Sequence, residues 1–294
     1  MLEVHNVTKK YKSFTALEDI NLQFDHGIYG LLAPNGAGKT TLMKMLVTLT
    51  FPTDGEITYQ GEDIINLGED YRDILGYLPQ DFGYYKSYTA EKYLLYVAAL
   101  KGLNKQKAKQ RIRELLEIVG LPNVAKKKLK TFSGGMLQRI GICQALLNDP
   151  KVVILDEPTA GLDPKERARF KRLLSTLARD RIILLSTHIV SDVESIANEI
   201  IMIKDNRILY SMPQQELNKL LEERLFETTL PFSELEKFRA THSVLSEKQE
   251  KNKMTVRFVA TETGPWNKVE PTLEDVFLYV FEEETESSEE IKYG

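Results

Sequence analysis

Nine consecutive residues, Ala33, Pro34, Asn35, Gly36, Ala37, Gly38, Lys39, Thr40 and Thr41, have the makings of a phosphate cradle. Glycines let successive backbone N–H groups turn inward around phosphate oxygens, and a helix starting near Gly38 adds the positive end of its dipole. Lys39 can reach the β- and γ-phosphates of a nucleotide, and Thr40 offers a hydroxyl to Mg2+. Ala33 stands where the pattern has its first glycine. A methyl fits there if φ is negative and narrows the loop otherwise. A second constellation lies far downstream, where the apolar run 152–155 ends in Asp156 and Glu157. Side chains of successive strand residues diverge, so Asp156 can face a metal and its waters while Glu157 polarises the water that attacks a γ-phosphate. Adjacent acids after a strand also serve as helix caps or loop ion pairs, and the cradle upstream decides for chemistry.

These groups meet only if particular elements carry them. Strand patterns occupy residues 2–7, 20–24, 30–33, 56–59 and 75–79, interrupted by one helix on which Leu42, Met45, Leu46 and Leu49 share a buried face. Residues 87–150 turn helical: Thr89 is a cap, Ile112, Leu115, Leu116 and Val119 form a stripe, and Gly120-Leu-Pro122 stops it. Strand 152–155, a helix bearing Phe170, Leu173, Leu174 and Leu177, and strand 182–185 follow, the alternation of an α/β fold built around one sheet. Beyond Met212 the signals thin to strands at 224–229 and 255–260. A closing helix is capped by Thr272 and Asp275 and carries Leu273, Val276, Phe277 and Val280.

With 294 residues, 42% hydrophobic and 28% charged, the composition is that of a globular protein, and no apolar run reaches the ~20 residues of a membrane span. The opening residues show no secretory pattern, so the expected place is the cytosol. The single cysteine, Cys143, excludes an internal disulfide, and no Cys/His spacing suits zinc. A net charge of -4 offers no general attraction to nucleic acid, and no direct nucleic-acid partner is expected. The basic run 126–130 and the acidic run 282–290 read as a solvated loop and a tail.

With both phosphate-handling motifs in place, residues 1–212 resemble the nucleotide-binding subunit of an ATP-binding cassette (ABC) ATPase. The resemblance implies a P-loop NTPase core, a mixed sheet with flanking helices, with a helical subdomain at about 88–150. Residues 213–294 would form a small C-terminal α+β accessory domain ending in the acidic tail. Phe132-Ser-Gly-Gly-Met136 resembles the family's signature loop, with Phe132 and Met136 where Leu and Gln are commoner; Met in that place is familiar among bacterial exporters. In that family two subunits pair head to tail, so Ser133, Gly134 and Gly135 would meet the γ-phosphate held by a second copy or a related subunit. By the same resemblance Gln80 would touch Mg2+ and the attacking water, and His188 would hydrogen-bond the γ-phosphate. Asp163 would lie in the loop crossing the dimer seam, or cap the helix from Pro164, or both. Tyr11 would stack on adenine, or simply pack.

The implied cofactors are ATP and Mg2+, with Thr40, Gln80 and Asp156 toward the metal and Glu157, Gln80 and His188 catalytic. The implied work is ATP hydrolysis driving a separate integral-membrane permease, from a peripheral position on the cytoplasmic face of the cell membrane. The segment 271–278 resembles the extension of drug- and lantibiotic-type exporter ATPases, which points to export. The aromatic-rich stretch 81–88 would border the permease groove, or its rings would pack on one another. Two other readings stand beside this one: a soluble ABC ATPase acting on nucleic acid or protein assembly, and a nucleotide-sensing subunit with little turnover.

Overall fold

The computed structural model describes residues 1–262 and 264–281; the acidic run 282–290 lies outside the described residues. The chain divides into two compact units, Met1–Ser211 and a second from Met212 onward.

The first unit contains two sheets, where one was expected. Phe14–Phe24, Leu2–Tyr11, Asp54–Tyr59 and Glu62–Asp63 pair in that order as an antiparallel sheet. A second sheet runs Arg207–Met212, Glu199–Lys204, Gly27–Leu32, Ile182–Ser186, Val152–Asp156, Leu75–Leu78, and the pairings from Glu199–Lys204 to Leu75–Leu78 are parallel. Every residue of Val152–Asp156 and Ile182–Ser186 is buried, as in a parallel sheet covered on both faces. The antiparallel sheet instead shows broken alternation. Val4 and Val7 are both buried although three residues apart, because the register shifts between them at Asn6, which has φ 49°.

Helix Lys39–Leu46 buries Leu42, Met43, Met45 and Leu46 against this core. It ends three residues before Leu49, which is 64% exposed and so is not part of the expected buried face. Two short helices missed by periodicity, Ile64–Leu67 and Glu69–Asp73, are too brief to show a period.

The helical part comprises Ala90–Leu100, Lys105–Ile118 and Gly134–Ala145. Thr89 caps the first through its hydroxyl, which accepts from the Lys92 N–H, and the stripe Ile112, Leu115, Leu116 and Val119 is buried. Helix Gly134–Ala145 lies so close to strand Leu75–Leu78 that glycine is required at the contact: a Cβ on Gly76 would overlap the Ala145 carbonyl oxygen and the Pro150 ring. Gly76→Ala is therefore expected to cost about 1–3 kcal/mol in denaturant unfolding, since the obstacle is backbone and cannot rotate away.

The second unit has a sheet in the order Ser243–Glu250, Lys253–Val259, Leu225–Pro231, Asn267–Lys268, with helix Phe232–Arg239 adjoining its core of Phe226, Leu230, Leu235, Met254, Val256 and Phe258. Ser243–Glu250 escaped the sequence reading because its last five residues are all polar or charged and exposed, as on a protected edge strand. The closing helix Leu273–Phe281 begins at the expected capping box. Thr272 N–H donates to Asp275 Oδ2 at 2.8 Å, and Asp275 N–H donates to Thr272 Oγ1 at 3.3 Å.

Candidate functional site

Between strand Gly27–Leu32 and helix Lys39–Leu46 the chain makes the glycine loop. Gly36 has φ 88° and Gly38 φ 101°, backbone that a side chain strongly disfavours. Around Gly38 there is also no room, since a Cβ would meet Leu17 and the Ala16 carbonyl oxygen. Ala33 is absent from the left-handed residues, so its methyl sits on permissive backbone and is buried without narrowing the loop. The substitution in the motif's first position is thereby accommodated.

Lys39 is 8% exposed, and its ammonium donates to the carbonyls of Ala33 and of Pro34, the latter at 2.9 Å. Burial pulls its pKa below the ordinary lysine value, while Glu157 and Asp156 pull it back upward. Asn35, Gly36, Gly38, Lys39, Thr40, Thr41, Gln80, Asp156 and Glu157 line one cleft of about 200 Å³, which Tyr11, Phe14 and Ala16 border; Ala33, Pro34, Ala37 and His188 stand outside its lining.

The carboxylates diverge as strand geometry requires. Asp156 accepts from the Ser186 hydroxyl through Oδ1 and from the Thr40 hydroxyl through Oδ2, the second at 3.3 Å. Glu157 turns the other way, with Oε2 2.8 Å from His188 Nδ1. Its φ is 50°, a conformation that costs a non-glycine residue about 1 kcal/mol or more and that neighbours must offset. The offsetting contacts are visible: the Glu157 N–H donates to the Ser186 carbonyl and hydroxyl, both at 3.2 Å, and the Gln138 amide donates to the Glu157 carbonyl at 3.2 Å.

Thr40 and Asp156 put two hard oxygen donors side by side. Among the described residues no group of three or more His, Cys, Asp or Glu could hold a metal alone. That donor set fits Mg2+, which keeps several waters and shares its shell with phosphates, and does not fit a metal needing an all-protein cage.

Ser133, Gly134, Gly135 and Asp163 do not line this cleft. Ser133 caps helix Gly134–Ala145, its hydroxyl accepting from Met136 N–H at 3.2 Å, and Gly134 opens onto free space. Asp163 caps helix Pro164–Leu177, accepting from Glu166 N–H at 2.8 Å. The two helix starts are neighbours, because Gly135 abuts Gly161 and Leu162 while Arg139 pairs with Glu166 at 2.5 Å. Rings of the 81–88 stretch pack on one another, Phe82 on Tyr84 and Tyr85 on both Tyr88 and Tyr96.

Sequence reasoning missed Phe14, whose register partner is Tyr11 across the hairpin, and the buried polar pair Ser186 and Gln138. Phe14 had a signal, a second aromatic just past a turn. Ser186 closes an apolar strand, where a lone hydroxyl was unremarkable until its partners were known.

Residues 17–160 match the family described as ABC transporter. Over 222 residues the chain is 38% identical to a bacitracin transport ATP-binding protein of Bacillus licheniformis, covering 74% of this chain and 72% of that one. It is 37% identical over 208 residues to a Nod factor export ATP-binding protein of Burkholderia lata, covering 70% and 68%. Among solved structures, a dimeric ATP-binding cassette in a post-hydrolysis state with ADP and Pi superposes with TM-score 0.66 at 27% identity, covering 72% of this chain and 98% of that one.

Proposed function

Because this chain belongs to the ABC transporter family and is an ATP-binding, ATP-hydrolysing subunit, we propose that its cleft takes Mg-ATP and that its turnover drives export through a separate membrane permease. The observation that carries this reading is the convergence of Lys39, Thr40, Gln80, Asp156 and Glu157 on one cleft walled by the glycine loop. Tyr11, with Phe14 beside it, offers aromatic surface for the adenine. Backbone N–H groups of the glycine loop and the Lys39 ammonium would hold the phosphates. Thr40, Gln80 and Asp156 would hold Mg2+, which supplies neutralisation of charge on the phosphate oxygens when bound. Glu157 orients and polarises the attacking water. His188 keeps the Glu157 carboxylate aimed and stands ready to hydrogen-bond the γ-phosphate.

One copy walls the nucleotide on a single side. Ser133 and Gly134 are exposed at the start of helix Gly134–Ala145, whose N-terminal dipole is the chemistry that a γ-phosphate held by a second copy would complete. ATP then favours a closed head-to-tail pair, with the Asp163 turn at its seam, and hydrolysis releases it.

No helix among the described residues is long and apolar enough to cross a membrane, so transport needs a partner that does. A groove of about 700 Å³ between the sheet core and the helical part is lined by Val47, Leu49, Arg72, Tyr77, Leu100 and Gln144. Leu49 and Leu100 are 64% and 70% exposed on its rim, apolar surface suited to a permease loop at the cytoplasmic face of the membrane. The relative named for Nod factor export favours the outward direction. The test is co-purification in mild detergent: the chain should bring down a polytopic membrane protein. Leu100→Glu should weaken that capture about tenfold or more while leaving ATP hydrolysis by the free chain within a factor of two. Capture of a soluble complex instead, or none, would overturn the transport reading.

A further inference from the structure

Glu157 is held by its main chain as well as by His188, and the groups that hold it belong to two different loops. On one side its N–H rests on Ser186, the last residue of strand Ile182–Ser186, two positions before His188. On the other, its carbonyl accepts from the side chain of Gln138, 8% exposed, on the second turn of helix Gly134–Ala145. A carbonyl can only accept, so the amide nitrogen must face it. The left-handed backbone of Glu157 is tied at both of its peptide groups, and a change in its φ would swing the carbonyl and the carboxylate together.

The helix bearing Gln138 has little freedom to tilt without effect. Its first turn carries Ser133–Gly135, Gly135 abuts Gly161 and Leu162, and Gly141 is pressed against Leu78 and Phe82 too closely for a Cβ. A displacement at its start is therefore passed along it to Gln138 rather than absorbed by loose packing.

We infer that Gln138 is a positioning residue for hydrolysis: it holds the Glu157 backbone in the conformation that aims the carboxylate into the cleft. Riding on the helix that begins at Ser133, it also links closure over a second copy's nucleotide to the readiness of Glu157 in its own site. The second half rests on the head-to-tail arrangement proposed above; the first half does not.

Gln138→Met keeps length and volume but removes the donor. Expected is a fall in kcat of about tenfold or more, with KM for ATP within about twofold and the thermal midpoint little changed. The Hill coefficient for ATP should drop toward 1 from the wild-type value, which two coupled sites place between 1 and 2. A purely structural role would instead lower the midpoint and shift KM and kcat together. Undiminished kcat overturns the positioning role, and a reduced kcat with an unchanged Hill coefficient overturns the link between sites. Should Gln138→Met fail to fold, Gln138→Asn, which keeps the amide but withdraws it by one methylene, should give the same split, and normal turnover there overturns the inference. A wild-type chain without ATP turnover would remove the functional reading and the inference together. Wild-type turnover with an equally active variant removes the inference alone.

Discussion

Glu157→Gln should lower ATP turnover by about 10²–10⁴ while nucleotide affinity stays near that of the unchanged chain. Glutamine matches glutamate in length and shape. The N–H bonds to Ser186, the carbonyl bond from Gln138 and the left-handed backbone all involve main-chain atoms that the substitution leaves alone. The contact to His188 at 2.8 Å also has a counterpart, because an amide can meet either imidazole nitrogen. What disappears is the negative charge proposed to polarise water, and with it the proposed step that releases a closed pair. Size-exclusion chromatography with ATP should then show a persistent dimer in the variant where the wild type passes through one transiently. Phosphate release measured beside ATP titration separates the two effects. Turnover equal to wild type would transfer the role of base away from Glu157, and loss of ATP binding would mean the carboxylate holds the loop together instead.

That the variant can be specified so closely reflects how much of the site is local in the chain. The glycine loop, Lys39, Thr40, Asp156 and Glu157 each stand at a junction of strand and helix, and junctions are written in short range: apolar run, turn residues, new period. Gly36 and Gly38 are in place because positive φ is needed there, a demand expressed by the residue itself. Gln138 and Ser186 were opaque for the opposite reason. A buried polar side chain is explained by its partner, and their partner is a main-chain peptide 19 and 29 residues away. The division into two sheets was equally hidden. Alternation indicates which side of a strand is buried but not which strand lies beside it, and the register shift between Val4 and Val7 breaks even the alternation. In the second unit, strand Ser243–Glu250 is formed by pairing with Lys253–Val259 and has hardly any apolar pattern of its own.

Lys39→Ala is expected to act on binding rather than on the fold, and the two can be told apart. A charge-assisted hydrogen bond from a lysine to phosphate contributes about 3 kcal/mol, so its removal should weaken ATP by roughly a hundredfold. The stability of the free chain should move little, or upward. Burial depresses the Lys39 pKa, so the folded state disfavours the ammonium relative to the unfolded chain. Below the depressed folded value that penalty is present in full, and it disappears as pH rises from that value to the ordinary 10.5. Alanine removes the penalty at neutral pH together with the bonds to Ala33 and Pro34, and these two losses oppose each other. ATP at a hundred times its dissociation constant should stabilise the wild-type chain by about 2.7 kcal/mol, and the same concentration should stabilise the variant by less than about 1 kcal/mol. Thermal melts with and without Mg-ATP read both quantities at once. A variant that melts like wild type and is protected by ATP to the same extent would show that the phosphates are held elsewhere. One that melts much earlier without nucleotide would make Lys39 a structural strut of the glycine loop.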